Sequence, residues 1–132
     1  MSALRKRKID VWESKGVMPD LAVALYHDRK RLVRDLNSRG VTDLNLSDAP
    51  AQTFAERIDG ETIHFVLMLP SDRPLWAQLA LLTHEAYHIA CSYFEELGEE
   101  RPGEEAFAYA TQAAAGCLFD AHLRWCGKGE VK

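Results

Sequence analysis

The chain has 132 residues, of which 47% are apolar and 27% are charged, and its formal net charge is -4. This composition excludes intrinsically disordered and fibrous proteins, and the length predicts one domain spanning residues 1–132. Because dedicated nucleic-acid-binding proteins usually carry an excess of Lys and Arg, the acidic balance also argues against a nucleic-acid partner.

No membrane-spanning or secretory segment is predicted. The longest apolar run, residues 75–94, is interrupted by His84, Glu85 and His88, so it fails the test of roughly 18 uninterrupted apolar residues. The three cysteines form no Cys-x-x-Cys motif, which fits a reducing compartment better than a disulfide framework. We therefore expect a cytoplasmic protein with no membrane partner.

The N-terminal third contains one predicted helix. Residues 1–15 are highly charged and should form either a short helix or a loose arm. Leucines then recur at helical spacing over residues 20–39, with Asp20 at the N-cap position and Gly40 at the position that follows a helix. The pattern predicts an amphipathic helix over residues 20–39.

The middle of the chain changes to the pattern of β-structure. Asp59-Gly60 is a hairpin signal between residues 54–58 and the β-branched and aromatic run 62–69. We predict a small antiparallel sheet here, with residues 41–46 as a candidate further strand.

Two helices are predicted in the C-terminal half. Apolar residues recur at helical spacing from Leu75 to Leu97, and Gly98 should end that helix. Residues 104–125 form a second, alanine-rich helix after an acidic loop. Together these elements predict an α+β fold: an N-terminal helix, a small antiparallel sheet, a long helix and a C-terminal closing helix.

The first of these C-terminal helices carries an HExxH motif, His84-Glu85-Ala86-Tyr87-His88. Residues i and i+4 share one helical face about 6 Å apart, so the imidazoles of His84 and His88 can converge on one Zn²⁺ ion. Glu85 lies about 100° around the helix, where it can act as a general base on a metal-bound water.

A third protein ligand has to come from another element. The acidic start of the closing helix offers Glu104 and Glu105, and the preceding loop offers Glu99 and Glu100. We favour Glu105, because Tyr109 lies four residues further on the same face and could stabilise an oxyanion. The sequence does not separate Glu104 from Glu105 decisively.

The segment from Leu82 to Leu118 resembles the zincin metallopeptidases in their gluzincin arrangement, in which HExxH is followed by a Glu on a second helix. It is similar to small phage- and prophage-encoded HExxH proteins and, more distantly, to the ImmA/IrrE group of compact zincins. The residues that carry this resemblance read THEAYH at positions 83–88 and GEERPGEEAFAY at positions 98–109. The resemblance implies zinc ligands at His84, His88 and Glu105, a catalytic base at Glu85 and a minimal zincin-like fold.

The leading functional hypothesis is therefore a zinc-dependent hydrolase, most readily a metallopeptidase acting on a peptide or protein substrate. The alternative is a non-catalytic protein in which structural zinc ties two helices together and the surface binds a phage or host protein. A third hypothesis is a regulatory module that contacts nucleic acid through the basic face of the first helix. A phage-encoded protein would work in the host-cell cytoplasm.

Three further histidines lie outside the motif. His64 and the run 62–69 could offer a strand edge to an extended peptide, although packing of this run against a helix is the plainer interpretation. His27 and His122 are expected at the surface.

Overall fold

The computed structural model describes residues 12–13, 21–99 and 101–130. Over these residues the fold is α+β, as predicted, with three helices and one small mixed sheet. The elements in chain order are β1 (Trp12–Glu13), β2 (Ala22–Tyr26), α1 (Arg29–Asn37), β3 (Ala51–Ile58), β4 (Glu61–Met68), α2 (Leu75–Glu96) and α3 (Glu104–Glu130). Most of the arm expected at residues 1–15 lies outside the described residues.

The sheet has the strand order β1-β2-β4-β3. The hairpin of β3 and β4 is antiparallel, as expected, and its turn uses positive φ at Asp59 (53°) and Gly60 (83°), as a two-residue hairpin requires. The wholly antiparallel sheet was a wrong prediction, because β2 pairs with β4 in parallel. Such a pairing needs a crossover, which α1, the following loop and β3 supply.

The predicted helix over residues 20–39 is also wrong in its first third. Residues 22–26 form β2, and α1 starts only after Asp28, whose side chain caps it by accepting from the Lys30 amide at 3.0 Å. The strand is central and buried on both faces, so its continuous apolar run resembles a helical pattern. The candidate strand at residues 41–46 is irregular.

Apolar residues pack on both faces of the sheet. One face, with Ile63, Phe65 and Leu67 of β4, packs against Leu32 and Leu36 of α1. The opposite face packs against the hairpin of α2 and α3, through residues that include Val23, Val66, Leu82, Ile89, Ala110 and Leu118. Small side chains such as Ala86, Ala90 and Ala114 are fully buried there, which lets the two helices lie close together.

The bounds of α2 match the prediction. After Leu97, Gly98 has a φ of 75°. Its amide donates to the Glu95 carbonyl at 3.0 Å, and the Glu99 amide donates to the Phe94 carbonyl at 2.9 Å. This paired arrangement is a Schellman motif, in which glycine tolerates the left-handed conformation best. Helix α3 begins at the predicted Glu104 and runs to Glu130, five residues beyond the predicted end. Within the described residues, neither long helix is apolar enough to cross a membrane.

Candidate metal centre

The HExxH motif lies in the middle of α2, and its two histidines face solvent. The Nε2 atoms of His84 and His88 are 3.2 Å apart. Two nitrogens bound to one tetrahedral zinc at 2.0–2.1 Å lie about 3.3 Å from each other. The helix therefore holds both imidazoles close to the spacing that a shared zinc ion requires, because one turn separates them.

Glu85 points away from solvent, between α2 and the sheet. Its side chain is buried, and its Oε1 accepts a 2.6 Å hydrogen bond from the hydroxyl of Thr53 on β3. A buried carboxylate without a donor would be costly, so this bond both stabilises Glu85 and fixes its orientation. Thr53 is 32 positions away in the chain, and no local pattern in the sequence marks it as a partner of the motif.

The predicted third ligand is not gathered into this cluster. Glu104 and Glu105 are exposed in the first turn of α3. Within the described ranges, no group of three or more His, Cys, Asp or Glu side chains is close enough to hold a metal ion. The structure therefore brings together His84 and His88 as converging nitrogens, and the role of Glu105 stays a prediction.

The predicted oxyanion residue, Tyr109, and the tyrosine inside the motif, Tyr87, have different surroundings. Tyr109 is 46% exposed and does not line the groove beside the motif. Tyr87, within the motif itself, places its ring edge-on to His88 at a centroid distance of 5.9 Å and packs against Phe107 of α3 at 5.5 Å. A hydrogen bond with Cys91 raises the pKa of Tyr87. Tyr87 thus links the histidine pair to the closing helix.

A groove of about 580 Å³ runs from the first turn of α2 to the motif. Its lining residues are Pro50, Ala51, Arg73, Trp76, Ala77, Ala80, Leu81, His84 and Glu85. Most of this surface is apolar, and His84 and Glu85 form one end of it. The sequence marked the motif but not this groove, because its other wall comes from the start of β3.

The edge of β3 that turns away from β4 is not paired with any other described strand. The amide of Leu69 donates to the carbonyl of Pro50 at 3.0 Å, and this pair is in register with Ala51 opposite Met68. In antiparallel pairing the hydrogen-bonded residues alternate. The backbone groups of Ala51 and Thr53 therefore turn outward, beside the groove.

The exposed edge of the sheet belongs to β3 and not to the run 62–69, where the sequence suggested it. Strand β4 lies between β2 and β3, so the run 62–69 offers no edge. His64 is buried on it, its Nδ1 has no partner within the described residues, and burial lowers its pKa. His64 is therefore a core side chain.

The two histidines expected at the surface form a second cluster, the buried pair, in which His122 is buried and His27 is half-buried. His122 is only 1% exposed, and its Nδ1 lies 2.9 Å from Nε2 of His27. Its own Nε2 lies 2.7 Å from Oε1 of Gln78, and the ring of Trp125 stacks on His27 at 3.8 Å. Burial and the neighbouring His122 lower the pKa of His27 to about 4. The surface prediction was wrong for His122, which is buried, whereas His27 is half-buried.

Comparison with protein-family models, curated proteins and solved structures found no match to this chain. The functional argument therefore depends on the residues and their geometry.

Proposed function

We propose that this chain is a zinc-dependent hydrolase that cleaves peptide bonds. The observation that carries the proposal is the 3.2 Å approach of the His84 and His88 Nε2 atoms beside the buried carboxylate of Glu85. Two exposed imidazoles with converging nitrogens suit zinc, and a carboxylate at the next position suits a general base.

His84 and His88 would hold the ion, with Glu105 as the predicted third ligand. When bound, zinc supplies a Lewis acid and lowers the pKa of a bound water. For neutral imidazoles to bind through Nε2, each ring carries its proton on Nδ1. With both protons on Nδ1, the hydrogen bond between the two Nε2 atoms would be lost when the ion binds.

Glu85 performs the proton transfer. Because Oε1 accepts from Thr53, Oε2 is the oxygen that takes the proton from water as the new C–O bond forms. The same oxygen then delivers that proton to the leaving nitrogen as the C–N bond breaks, so Glu85 ends as it began. The Thr53 hydroxyl keeps the carboxylate oriented during both transfers.

The groove and the free edge of β3 support a peptide as the substrate. An extended chain can pair with the outward backbone groups of Ala51 and Thr53. That position lies beside Glu85, because Thr53 contacts it directly. The apolar floor of the groove, including Ala77 and Leu81, would receive side chains of the substrate.

A test compares the zinc-loaded wild-type chain with Glu85→Gln on a mixture of peptides, with products identified by mass spectrometry. We expect the wild type to cleave and the variant to be slower by about 10²- to 10⁴-fold, the usual contribution of a general base. The side-chain oxygen of Gln can still accept the hydrogen bond from Thr53. The variant should therefore fold like the wild type, and a lower rate would report the loss of the base. Equal rates in the two proteins would contradict the proposal.

The non-catalytic zinc alternative makes a different prediction in the same experiment. It predicts bound zinc without cleavage of any peptide, and a large fall in melting temperature on chelation because the ion would tie α2 to α3. The catalytic proposal has the same predicted ligands, so the appearance of cleaved peptide, and not the fall in melting temperature, separates the two hypotheses.

A further inference from the structure

The end of the groove away from the histidines carries an exposed cation and an exposed aromatic ring. Arg73 is exposed in the loop before α2, and Trp76 in its first turn is 74% exposed. Both residues line the groove. Trp76 is the most exposed of the large apolar side chains among the described residues, so this end has the composition of a binding surface.

The backbone of Arg73 is held in place by side chains. Its carbonyl accepts from Nε2 of Gln78 at 2.6 Å, and its amide donates to Oγ of Ser71 at 3.3 Å. Gln78 is fixed in turn by His122 at 2.7 Å. The loop is therefore anchored to the buried histidine cluster, which limits the entropy that Arg73 would lose on binding a ligand.

Helix stability does not explain this charge. A cation near a helix N-terminus and anions near the C-terminus both oppose the helix dipole. Helix α2 has Arg73 just before its start, no acidic residue in its first turn, and Glu95 and Glu96 at its end. Over the parts of the chain that the structure describes, no carboxylate forms an ion pair with Arg73. Its guanidinium is thus available to a carboxylate on a ligand.

We propose that Arg73 and Trp76 form a specificity subsite for an acidic side chain, Asp or Glu, of an extended peptide in the groove. The proposal rests on the function proposed above. From Leu75 to His84 the helix rises about 13 Å, which an extended peptide covers in about four residues. The acidic residue therefore lies about four positions from the cleaved bond, with Trp76 packing against its neighbour.

The groove is open to solvent and does not enclose its occupant. This geometry favours a side-chain carboxylate in mid-peptide over a C-terminal carboxylate.

Binding can be measured separately from cleavage. The probes are octapeptides with an N-terminal fluorescein and a C-terminal amide that carry a single Glu, or Gln in its place, at each internal position. Fluorescence anisotropy gives Kd for the zinc-loaded full-length Glu85→Gln protein. At the best position we expect the Glu peptide to bind about three- to fivefold tighter, the upper part of the range for an exposed ion pair.

Two further substitutions test the assignment. Arg73→Gln in the same background should abolish the preference, whereas Arg101→Gln, which removes an exposed Arg outside the groove, should preserve it. Equal Kd values for Glu and Gln peptides at every position, no binding of any peptide, or equal loss in both Arg variants would overturn the subsite. Tighter binding only of a Gln peptide with a free C-terminal carboxylate would also overturn it.

Cleavage by the wild-type protein separates this inference from the proposed function. A preference in binding with no cleavage would refute the hydrolase and support the subsite. Cleavage with no preference would refute the subsite alone. Cleavage about four residues from the preferred Glu would support both.

Discussion

Two histidine pairs in this molecule have nearly the same nitrogen spacing but opposite surroundings. His84 and His88 approach at 3.2 Å on the exposed face of α2, whereas His27 and His122 approach at 2.9 Å under the ring of Trp125. In the exposed pair the two nitrogens that approach each other are both Nε2. In the buried pair His122 uses Nδ1 toward His27 and Nε2 toward Gln78.

The difference shows which features separate a candidate metal site from a structural network. A metal requires lone pairs that converge and that solvent can reach. A structural network requires that each buried nitrogen has its own partner. Nitrogen spacing alone would not distinguish the two pairs. They differ in burial, and in that both ring nitrogens of His122 have partners within the fold.

The largest effect should come from breaking the exposed pair. His88→Ala should lower the rate of peptide cleavage by roughly a hundredfold or more, because one metal ligand is lost. The free energy of unfolding of the metal-free protein should change by only about 0.5 kcal/mol, since the side chain is exposed. Kinetics and urea titration of the same preparation measure both. A variant that cleaves normally would refute the role of the pair.

Breaking the buried pair should have the opposite pattern. His122→Ala removes a fully buried ring and takes away the hydrogen-bond partner of Gln78 Oε1 and of His27 Nε2. We expect the free energy of unfolding to fall by about 2–4 kcal/mol, measured by urea denaturation. Zinc binding by the fraction that remains folded should persist. If stability were unchanged, the network would not hold the fold together.

Acid should weaken the buried pair as well. An unfolded histidine titrates near 6.5, whereas the pKa of folded His27 is about 4, so between these values the unfolded chain binds more protons. The contribution of His27 to the free energy of unfolding is therefore fully present above pH 6.5. It is lost as the pH falls toward 4, and the loss is at most about 3 kcal/mol. Thermal melts across this range should show the decline.

His27→Gln is the control for this prediction, because it removes one titrating ring of the pair. The fall in melting temperature between pH 6.5 and 4 should be smaller in the variant than in the wild type. Equal slopes would mean that carboxylates, and not the histidine pair, determine the acid response.

The smallest effect concerns the support of Glu85. Thr53→Val removes the hydroxyl that donates to Oε1 at 2.6 Å and keeps the shape of the side chain. We expect kcat to fall by about five- to tenfold, the equivalent of about 1–1.4 kcal/mol, with zinc content unchanged. Thr53→Ser should recover most of the rate. Failure of Ser to do so would point to packing and not to the hydrogen bond.

Local patterns predicted the elements that depend on local interactions. Helix α2 and its end at Gly98 followed from apolar spacing and a positive-φ glycine, and the Asp59-Gly60 hairpin followed from its turn residues. Strand β2 was missed because Leu21 and Leu25 belong to the strand segment whereas Leu32 and Leu36 belong to α1. Their helical spacing is therefore accidental, because the four leucines come from two different elements.

Contacts between distant residues could not be predicted in the same way. The HExxH spacing placed His84 and His88 on one face, because a single helix fixes that geometry. Nothing near Thr53 indicated that it would meet Glu85, and nothing near His27 indicated His122, 95 positions away. These contacts depend on how the sheet and the helical hairpin pack together.

The most direct test of the central claim is the zinc content of purified protein by inductively coupled plasma mass spectrometry, for the wild type, His88→Ala and His27→Gln. The account predicts about one zinc per chain in the wild type and in His27→Gln, and none in His88→Ala. The buried pair then serves as the matched control for the exposed one. Absence of zinc from the wild type after dialysis against zinc, or its retention in His88→Ala, would contradict the assignment of the metal centre.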